Sequence, residues 1–187
     1  MDTYRRVYLG IESPVRSVDN DFSANASLPE GCNVISTIAF AHPLKGVDVL
    51  IRAIPKIPNA IFLIIGLSDC EYTNELVSLA ISLGVNERIR WIGITDNVVN
   101  FLQISDLYVQ PSRTEALSLA ACEALALGVP VVGSNVGGLP EVALRVFERE
   151  NHLHLAEIID EILNLNNKEK GNIDVNDISV NGYDRDR

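Results

Sequence analysis

Residues 106–132 read DLYVQPSRTEALSLAACEALALGVPVV, and this stretch decides the fold. The apolar run at 106–110 predicts a buried strand, and 129–132 predicts a second one. Between them, 116–127 has the composition of a helix and ends at a glycine. Because a helix that connects two fully buried strands makes them neighbours in a parallel sheet, this stretch predicts an α/β architecture.

The same alternation extends toward both ends of the chain. Further apolar runs predict strands at 33–40, 60–65 and 89–92. Apolar residues at helical spacing, with terminal glycines and prolines, predict further helices at 47–57, 74–83, 97–104, 141–147 and 153–165. We therefore expect a Rossmann-like doubly wound parallel sheet of five or six strands with helices on both faces.

The composition divides the 187 residues into three segments. Residues 1–32 are turn-rich and polar, and we interpret them as a linker or lead-in segment. Residues 33–165 carry the alternating pattern and are long enough for one domain with its own core. Residues 166–187 are rich in Asn, Asp and Lys, so we expect a polar, flexible tail.

The charge balance limits the classes of partner. The chain has 15 Lys and Arg against 25 Asp and Glu, a formal net charge of −10. Because nucleic-acid binding needs a basic surface, nucleic acid is not expected as a partner. No signal peptide or membrane-spanning pattern is recognisable, and three cysteines at non-metal spacing indicate free thiols in a reducing compartment. We expect a cytoplasmic domain that contacts membrane only through sequence absent from this chain.

Candidate binding residues follow the predicted strands, since open parallel sheets bind ligands beyond the carboxyl ends of their strands. After the first strand comes AHPLKG, residues 41–46, which places Lys45 just before a helix. A cation there can meet an anion together with free backbone N–H groups. The alternatives are a solvated surface lysine at position 45 and an ordinary loop histidine at His42.

Two carboxylates accompany the predicted helix at 116–127. Glu115 lies at its start, and Glu123 follows eight residues later. At about 100° per residue the two side chains lie within about 80° of each other, so both can line one cleft. Glu123 sits in the middle of an apolar helix and needs hydrogen-bond donors, for which ribose hydroxyls would serve. The alternative is a capping acid and a rim acid without a ligand.

Glycines mark two further loops at strand ends. Gly137 and Gly138 follow the last predicted strand and permit a close approach of backbone to ligand, although a plain tight turn explains them equally well. Gly66 and Gly93, the latter followed by Ile94, end strands where a flat base could lie against the backbone.

At this point the chain resembles a known family. Glu115 and Glu123 match the E-x7-E motif of retaining GT-B glycosyltransferases (glycosyl transferases group 1, family 4), in their C-terminal, nucleotide-sugar-binding domain. The family's other marks stand in the expected order between residues 33 and 142: LKGVDVLIRAI, AIFLIIG, RIRWIG, DLYVQPS, EALALGVPVV and VGGLPE. Six ordered signals are far more specific than any single motif.

The resemblance implies roles for these residues. Lys45 would contact the donor diphosphate, Glu123 the ribose hydroxyls and Glu115 the hydroxyls of the donor sugar, with Lys45 and Glu115 closest to the chemistry. Backbone groups would provide further contacts: the N–H groups of Ala116 and Leu117 for oxygens, the backbone at Ile94 for the base. Family members transfer sugar with retention and usually need no metal or other cofactor.

Two departures from the family pattern affect the expected activity. An Arg often stands five residues before the Lys, but Phe40 occupies that position here. One phosphate contact is therefore missing unless His42 replaces it. A GT-B enzyme also needs an N-terminal acceptor domain, which these residues do not supply, so we expect nucleotide binding but little transfer by this chain alone.

Two other readings remain open. The chain could be a non-catalytic, truncated glycosyltransferase-like module that keeps the fold and binds nucleotide. It could also be an unrelated dinucleotide-binding enzyme, although no GxGxxG follows its first strand.

Overall fold

The computed structural model of the protein describes residues 28–29 and 31–168. Most of the predicted lead-in segment, and the predicted tail from residue 169 onward, lie outside the described residues. The three segment boundaries therefore stay a prediction.

The described residues form six strands and six helices. The strands are β1 (Asn33–Ile38), β2 (Ala60–Ile65), β3 (Ile89–Ile92), β4 (Leu107–Gln110), β5 (Val131–Ser134) and β6 (Arg145–Phe147). The helices are α1 (Val47–Ala53), α2 (Glu71–Ser82), α3 (Val98–Gln103), α4 (Leu119–Ala126), α5 (Leu139–Val142) and α6 (His152–Lys168). Short 3-10 helices span Pro43–Lys45, Ile54–Lys56 and Asn86–Arg88.

All six strands pair in parallel, in the order β3-β2-β1-β4-β5-β6. The prediction of a Rossmann-like doubly wound sheet is confirmed. Strand order reverses between β1 and β4, where Ile35 is in register with Leu107. In such sheets the loops on either side of the reversal separate and leave a crevice beyond the carboxyl ends. This arrangement places the loop after β1 opposite the loop after β4.

The core lies on both faces of the sheet. Val109 packs on one face with residues of α1, α2 and α6, while the adjacent Tyr108 packs on the other face with residues of α3, α4 and α5. Successive residues of a strand point to opposite faces, so a strand covered on both sides must be apolar throughout. Strand β2 is buried at every position, which explains its uninterrupted apolar sequence AIFLII.

Two predicted helices differ from the observed ones. The helix predicted at 141–147 is wrong: α5 ends at Val142, and β6 pairs with β5 as an edge strand. The helix predicted from residue 116 begins only at Leu119, because the Ser118 side chain accepts a hydrogen bond from the backbone N–H of Ala121 and caps it there. Glu115 therefore lies in a loop and not at a helix start.

Two features are absent from the described residues. None of their helices combines the length and apolar character needed to cross a bilayer. Among these same residues, no three His, Cys, Asp or Glu side chains gather as ligands for a metal ion.

Candidate functional site

A cavity of about 300 Å³ lies at the reversal of strand order, between the loop after β1 and the loop after β4. Phe40 and Lys45 line it from the first loop, and Glu115 and Leu117 line it from the second. Leu119 and Ala120 line it from the first turn of α4, and the rest of the lining is Ile38, Ala39, Gln110 and Ser118. The predicted position of the site, beyond the carboxyl ends of the strands, is where this cavity lies.

Lys45 and Glu115 form an ion pair at the edge of this cavity. Lys45 Nζ donates to Glu115 Oε2 at 2.9 Å, and the two side chains are 20% and 13% exposed. They come from loops 70 residues apart in sequence. The structure thus brings together the two residues that sequence analysis placed closest to the chemistry.

Tight backbone packing fixes the loop that carries Lys45. Gly46 has a φ of 65°, and a Cβ built on it would lie 1.9 Å from the carbonyl oxygen of Pro111. Only glycine fits there, since both the conformation and the space exclude a side chain. The Arg113 backbone N–H also donates to the carbonyl oxygen of Leu44 at 2.8 Å. These contacts hold the Lys45 loop directly against the Glu115 loop.

A second ion pair reinforces the junction of the two loops from outside the cavity. The Arg113 guanidinium donates to both carboxylate oxygens of Asp48 at 2.8 Å, and it also donates to the Pro43 carbonyl oxygen. Burial raises the pKa of Asp48, whereas the hydrogen bonds and the positive charge of Arg113 lower it. The lowering is the larger effect, so the pKa of Asp48 lies below its usual value. Sequence analysis missed this pair, because nothing in the chain links positions 48 and 113.

A chain of hydrogen bonds runs beneath the cavity to Glu115. Tyr108 Oη and Ser118 Oγ both donate to Oε1 of the buried Gln110. Gln110 Nε2 donates to Ser112 Oγ at 2.9 Å, and Ser112 Oγ donates to Glu115 Oε2 at 3.1 Å. Sequence analysis assigned no role to Tyr108, Gln110 and Ser112, which lie within DLYVQPS. A polar Gln at the end of an apolar strand was the available signal.

Phe40 occupies the cavity wall beside Lys45. The residue is 59% exposed, and its ring centroid lies 5.1 Å from Lys45 Nζ and 5.9 Å from the His42 ring centroid. His42 Nδ1 accepts the backbone N–H of Leu44 and thereby caps the short helix that ends at Lys45. His42 is therefore engaged in shaping the Lys45 loop.

The paired glycines pack on protein backbone. A Cβ on Gly137 would lie 1.6 Å from the Glu115 carbonyl oxygen, and a Cβ on Gly138 would lie 2.6 Å from that of Ala116. Gly138 N also donates to the Ala116 carbonyl oxygen at 2.8 Å. The close approach that these glycines permit is therefore to the backbone of the Glu115 loop. Gly137 and Gly138 support that loop by packing on it.

Glu123 lies one turn along α4 from Ala120 and is partly buried. Burial raises the pKa of Tyr108, and the charges of Glu115 and Glu123 raise it further. Both carboxylates are therefore close enough to act on the same buried hydroxyl. Glu123 itself does not line the cavity of Lys45 and Glu115.

Ile94 is the predicted site residue that lies apart from the others. It is 80% exposed and follows β3, the edge strand, which is separated from β1 by β2. The structure does not bring it into the cavity of Lys45 and Glu115.

A parallel sheet covered on both faces, with a charged cavity where its strand order reverses, defines a Rossmann-like α/β domain of the kind found in GT-B glycosyltransferases. The chain belongs to the family of glycosyl transferases group 1, and the model of that family matches residues 19–175.

Two curated relatives have the same name as each other. The chain is 34% identical over 141 residues to the D-inositol 3-phosphate glycosyltransferase of Mycolicibacterium smegmatis, and 35% identical over 154 residues to that of Mycobacterium leprae. These alignments cover 72% and 76% of this chain but 32% and 36% of the relatives. The chain thus spans about a third of their length.

Solved structures of glycosyltransferases share the fold. Sucrose-phosphate synthase from Thermosynechococcus elongatus superimposes with a TM-score of 0.69 at 26% identity, covering 79% of this chain and 40% of that one. Anabaena HepE in complex with UDP-glucose gives 0.71 at 22% identity, covering 80% and 43%. A Rickettsia africae glycosyltransferase gives 0.73 at 22% identity, covering 78% and 41%. The likeness to the last two concerns the fold alone.

Proposed function

We propose that this chain is the C-terminal, donor-binding domain of a retaining GT-B glycosyltransferase, which takes a sugar from a nucleotide-diphosphate sugar. The observation that carries the proposal is the pairing of Lys45 with Glu115 in a cavity at the reversal of strand order. One group suits a diphosphate and the other suits sugar hydroxyls, and they lie 2.9 Å apart. The sugar-nucleotide complex of HepE, which shares the fold, supports this class of ligand.

Lys45 and the start of α4 would hold the diphosphate. Within the described part of the chain, the backbone N–H groups of Ala116 and Leu117 donate no hydrogen bond to protein. The N–H groups of Leu119 and Ala120 are also unpaired among the described residues, because the first turn of a helix has no preceding helical carbonyl groups to accept them. Lys45, Leu117, Leu119 and Ala120 line the same cavity. A lysine together with unpaired backbone N–H groups suits an anion.

The same groups would assist the chemical step. Transfer breaks the bond between the anomeric carbon and a diphosphate oxygen. The acceptor oxygen bonds to that carbon on the same face and passes its proton to the departing diphosphate oxygen. Negative charge accumulates on the departing diphosphate, so a fixed cation and N–H groups stabilise the transition state more than the ground state. Lys45 supplies that charge, and we expect no metal or other cofactor to take part.

The two carboxylates would bind the neutral parts of the donor. Glu115 would accept hydrogen bonds from the sugar hydroxyls in the cavity. Glu123, one turn beyond Ala120 in α4, would accept hydrogen bonds from the ribose hydroxyls. The backbone at Ile94 would lie against the base only if the donor extends along the carboxyl edge from β1 past β2 to β3.

An acceptor domain would complete the enzyme. Since the chain spans about a third of its curated relatives, we expect the acceptor to bind in residues beyond those present here, on the N-terminal side. The isolated chain is then expected to bind nucleotide and to transfer little sugar. Because sugar nucleotides are soluble metabolites, we place this domain in the cytoplasm.

Calorimetric titration of the full 187-residue chain tests the proposal. UDP, GDP and their glucose or mannose conjugates are compared with NAD, and at least one nucleoside diphosphate is expected to bind while NAD does not. Lys45→Ala and Glu123→Ala should each weaken binding about tenfold or more. Lys56→Ala and Glu157→Ala, at exposed positions outside the cavity, are the matched controls. Unchanged binding in both site variants would remove the assigned site.

A second candidate, a nucleotide-binding module without turnover, is favoured by the apolar ring of Phe40 beside Lys45. That ring supplies no second cation to a departing diphosphate. Joining the N-terminal residues of a relative to this chain and measuring sugar transfer separates the two candidates, because the module would bind donor and still transfer nothing.

A further inference from the structure

Gln110 lies at the end of β4, in the lining of the cavity, with 1% of the residue exposed. Strand β4 is buried at every position, so an apolar side chain would be expected at position 110 as well. A polar group in such a place is costly unless its hydrogen bonds are satisfied. Gln110 satisfies both ends of its amide: Oε1 accepts from Tyr108 and Ser118, and Nε2 donates to Ser112.

This orientation of the Gln110 amide sets the direction of the hydrogen bond to Ser112. Since an amide nitrogen can only donate, Ser112 Oγ must accept from Gln110, and its own proton is then available to Glu115. Ser112 Oγ lies 3.1 Å from Glu115 Oε2, the same oxygen that Lys45 contacts. Both donors therefore converge on a single carboxylate oxygen.

The other oxygen of Glu115 is left available. Among the described residues, Glu115 Oε1 accepts no hydrogen bond. Glu115 lines the cavity and is only 13% exposed. Its carboxylate is thus held through one oxygen while the second remains free for a hydroxyl group.

Gln110 also supports the opposite wall of the cavity. Ser118 Oγ donates to Gln110 Oε1 at 2.9 Å and accepts the backbone N–H of Ala121 at 3.2 Å, which caps α4. One amide is therefore connected to the carboxylate on one side and to the first turn of α4 on the other.

We propose that Gln110 is a positioning residue that sets selectivity for a sugar nucleotide over the free nucleoside diphosphate. Through Ser112 it orients Glu115 so that one carboxylate oxygen accepts a hydroxyl of the donor sugar. This inference rests on the proposed function. It assigns a role to a buried residue of the cavity lining that acts through Ser112.

The measured quantity is the ratio of two dissociation constants, that of the nucleoside diphosphate over that of its sugar conjugate. Calorimetry on the full chain uses whichever pair, UDP with UDP-glucose or GDP with GDP-mannose, binds the unmodified protein. Glu115→Gln is the reference variant, since it weakens the acceptor directly. A general structural defect would weaken both ligands alike, so the ratio isolates the positioning role.

Gln110→Glu is the principal variant because it keeps the shape and replaces the donor by an acceptor. Ser112 then donates to position 110, and Glu115 loses that contact. The ratio should fall about threefold to tenfold, the effect of one hydrogen bond to a charged group. This fall is in addition to a loss of affinity common to both ligands, because a carboxylate at position 110 adds negative charge to the cavity lining. Ser112→Ala should give the same fall, and combining both changes should add little more.

Tyr108→Phe is the matched control. It removes one donor from Gln110 Oε1 but leaves the path through Ser112 intact, so the ratio should stay within about twofold of the unmodified value. Ser112→Thr, which keeps the hydroxyl, should restore most of the ratio lost in Ser112→Ala. If Gln110→Glu does not fold, as judged by circular dichroism, the two Ser112 variants carry the test alone.

The outcomes separate this inference from the proposed function. If the unmodified chain binds no nucleotide, or if Glu115→Gln leaves the ratio unchanged, the proposed function is wrong and this inference falls with it. If Glu115→Gln lowers the ratio but Gln110→Glu and Ser112→Ala do not, only the role of Gln110 is wrong. An equal loss of both ligands in those variants would also overturn it.

Discussion

Lys45 Nζ lies 2.9 Å from Glu115 Oε2, so the cation and the carboxylate expected to bind different parts of a ligand contact each other. Both are partly buried, and water screens such a pair less than a surface pair. A diphosphate that takes Lys45 must therefore compete with Glu115. A sugar conjugate that also offers a hydroxyl to Glu115 compensates for that loss.

This competition makes the effect of removing the carboxylate charge predictable. Glu115→Gln should bind the free nucleoside diphosphate about threefold to tenfold more tightly, since Lys45 is released and a repulsive charge is gone. Its preference for the sugar conjugate should decrease. Calorimetry measures both, with Glu157→Gln as an exposed variant of equal charge change. Weaker diphosphate binding in Glu115→Gln would show that the pair does not oppose the ligand.

Replacing the ring beside Lys45 by a cation should strengthen diphosphate binding. Phe40 is 59% exposed on the cavity wall, so Phe40→Arg can be accommodated without repacking the core. A guanidinium there can bind a phosphate through two parallel hydrogen bonds, and we expect a gain of about tenfold at low salt. Phe40→Leu removes the ring without adding charge and serves as the control. The gain should diminish at high ionic strength; a gain that salt leaves unchanged would contradict an electrostatic cause.

The pair of Asp48 and Arg113 should make stability depend on acid. The folded pKa of Asp48 lies below its usual value, so this contribution is present above about pH 4 and is lost as the pH falls further, through the folded pKa. Asp48→Asn should lower the free energy of unfolding at neutral pH by about 1–2 kcal/mol, between the values for exposed and buried pairs. It should also flatten the decline in stability below about pH 4.

Urea unfolding at neutral and acid pH measures both effects. Asp69→Asn changes an exposed carboxylate outside the loop junction and is the matched control. An acid decline as steep in Asp48→Asn as in the unmodified chain would show that this carboxylate does not cause it.

The sheet could be predicted from the sequence because burial on both faces imposes continuous apolar runs. Residues 60–65 are the clearest case, since β2 is buried at every position. The edge strand β6 could not be predicted in this way. Its residue Arg145 is exposed and only Phe147 is fully buried, so a short mixed run of this kind resembles a helix as much as a strand.

The site could be predicted only as far as sequence order places residues at strand ends. That rule brought Lys45 and Glu115 to the same edge. The start of α4 was predicted too early because Ala116 and Leu117 have high helix propensity. Ser118 is a typical capping residue and was the signal for the observed start. The links from Gln110 to Ser112 and from Asp48 to Arg113 depend on side-chain directions, which no spacing rule supplies.

Gly137 offers a test of how the Glu115 loop is held. It has a φ of 53°, and a Cβ there would lie 1.6 Å from the Glu115 carbonyl oxygen. Gly84 is the matched control, because its φ of 68° is similar and a Cβ there would meet nothing within 4 Å. Gly84→Ala should therefore cost only the conformational strain, about 1–2 kcal/mol in the free energy of unfolding.

Gly137→Ala carries that same strain and must also displace the backbone that bears Glu115. We expect at least about 2 kcal/mol more destabilisation than in Gly84→Ala, measured by urea unfolding. Where Gly137→Ala still folds, it should lose preference for the sugar conjugate, since Glu115 no longer sits beside Lys45. If the two variants were equally stable and bound ligand alike, the glycine would not support the loop, and a direct contact of its backbone with the donor would become the better explanation of its position.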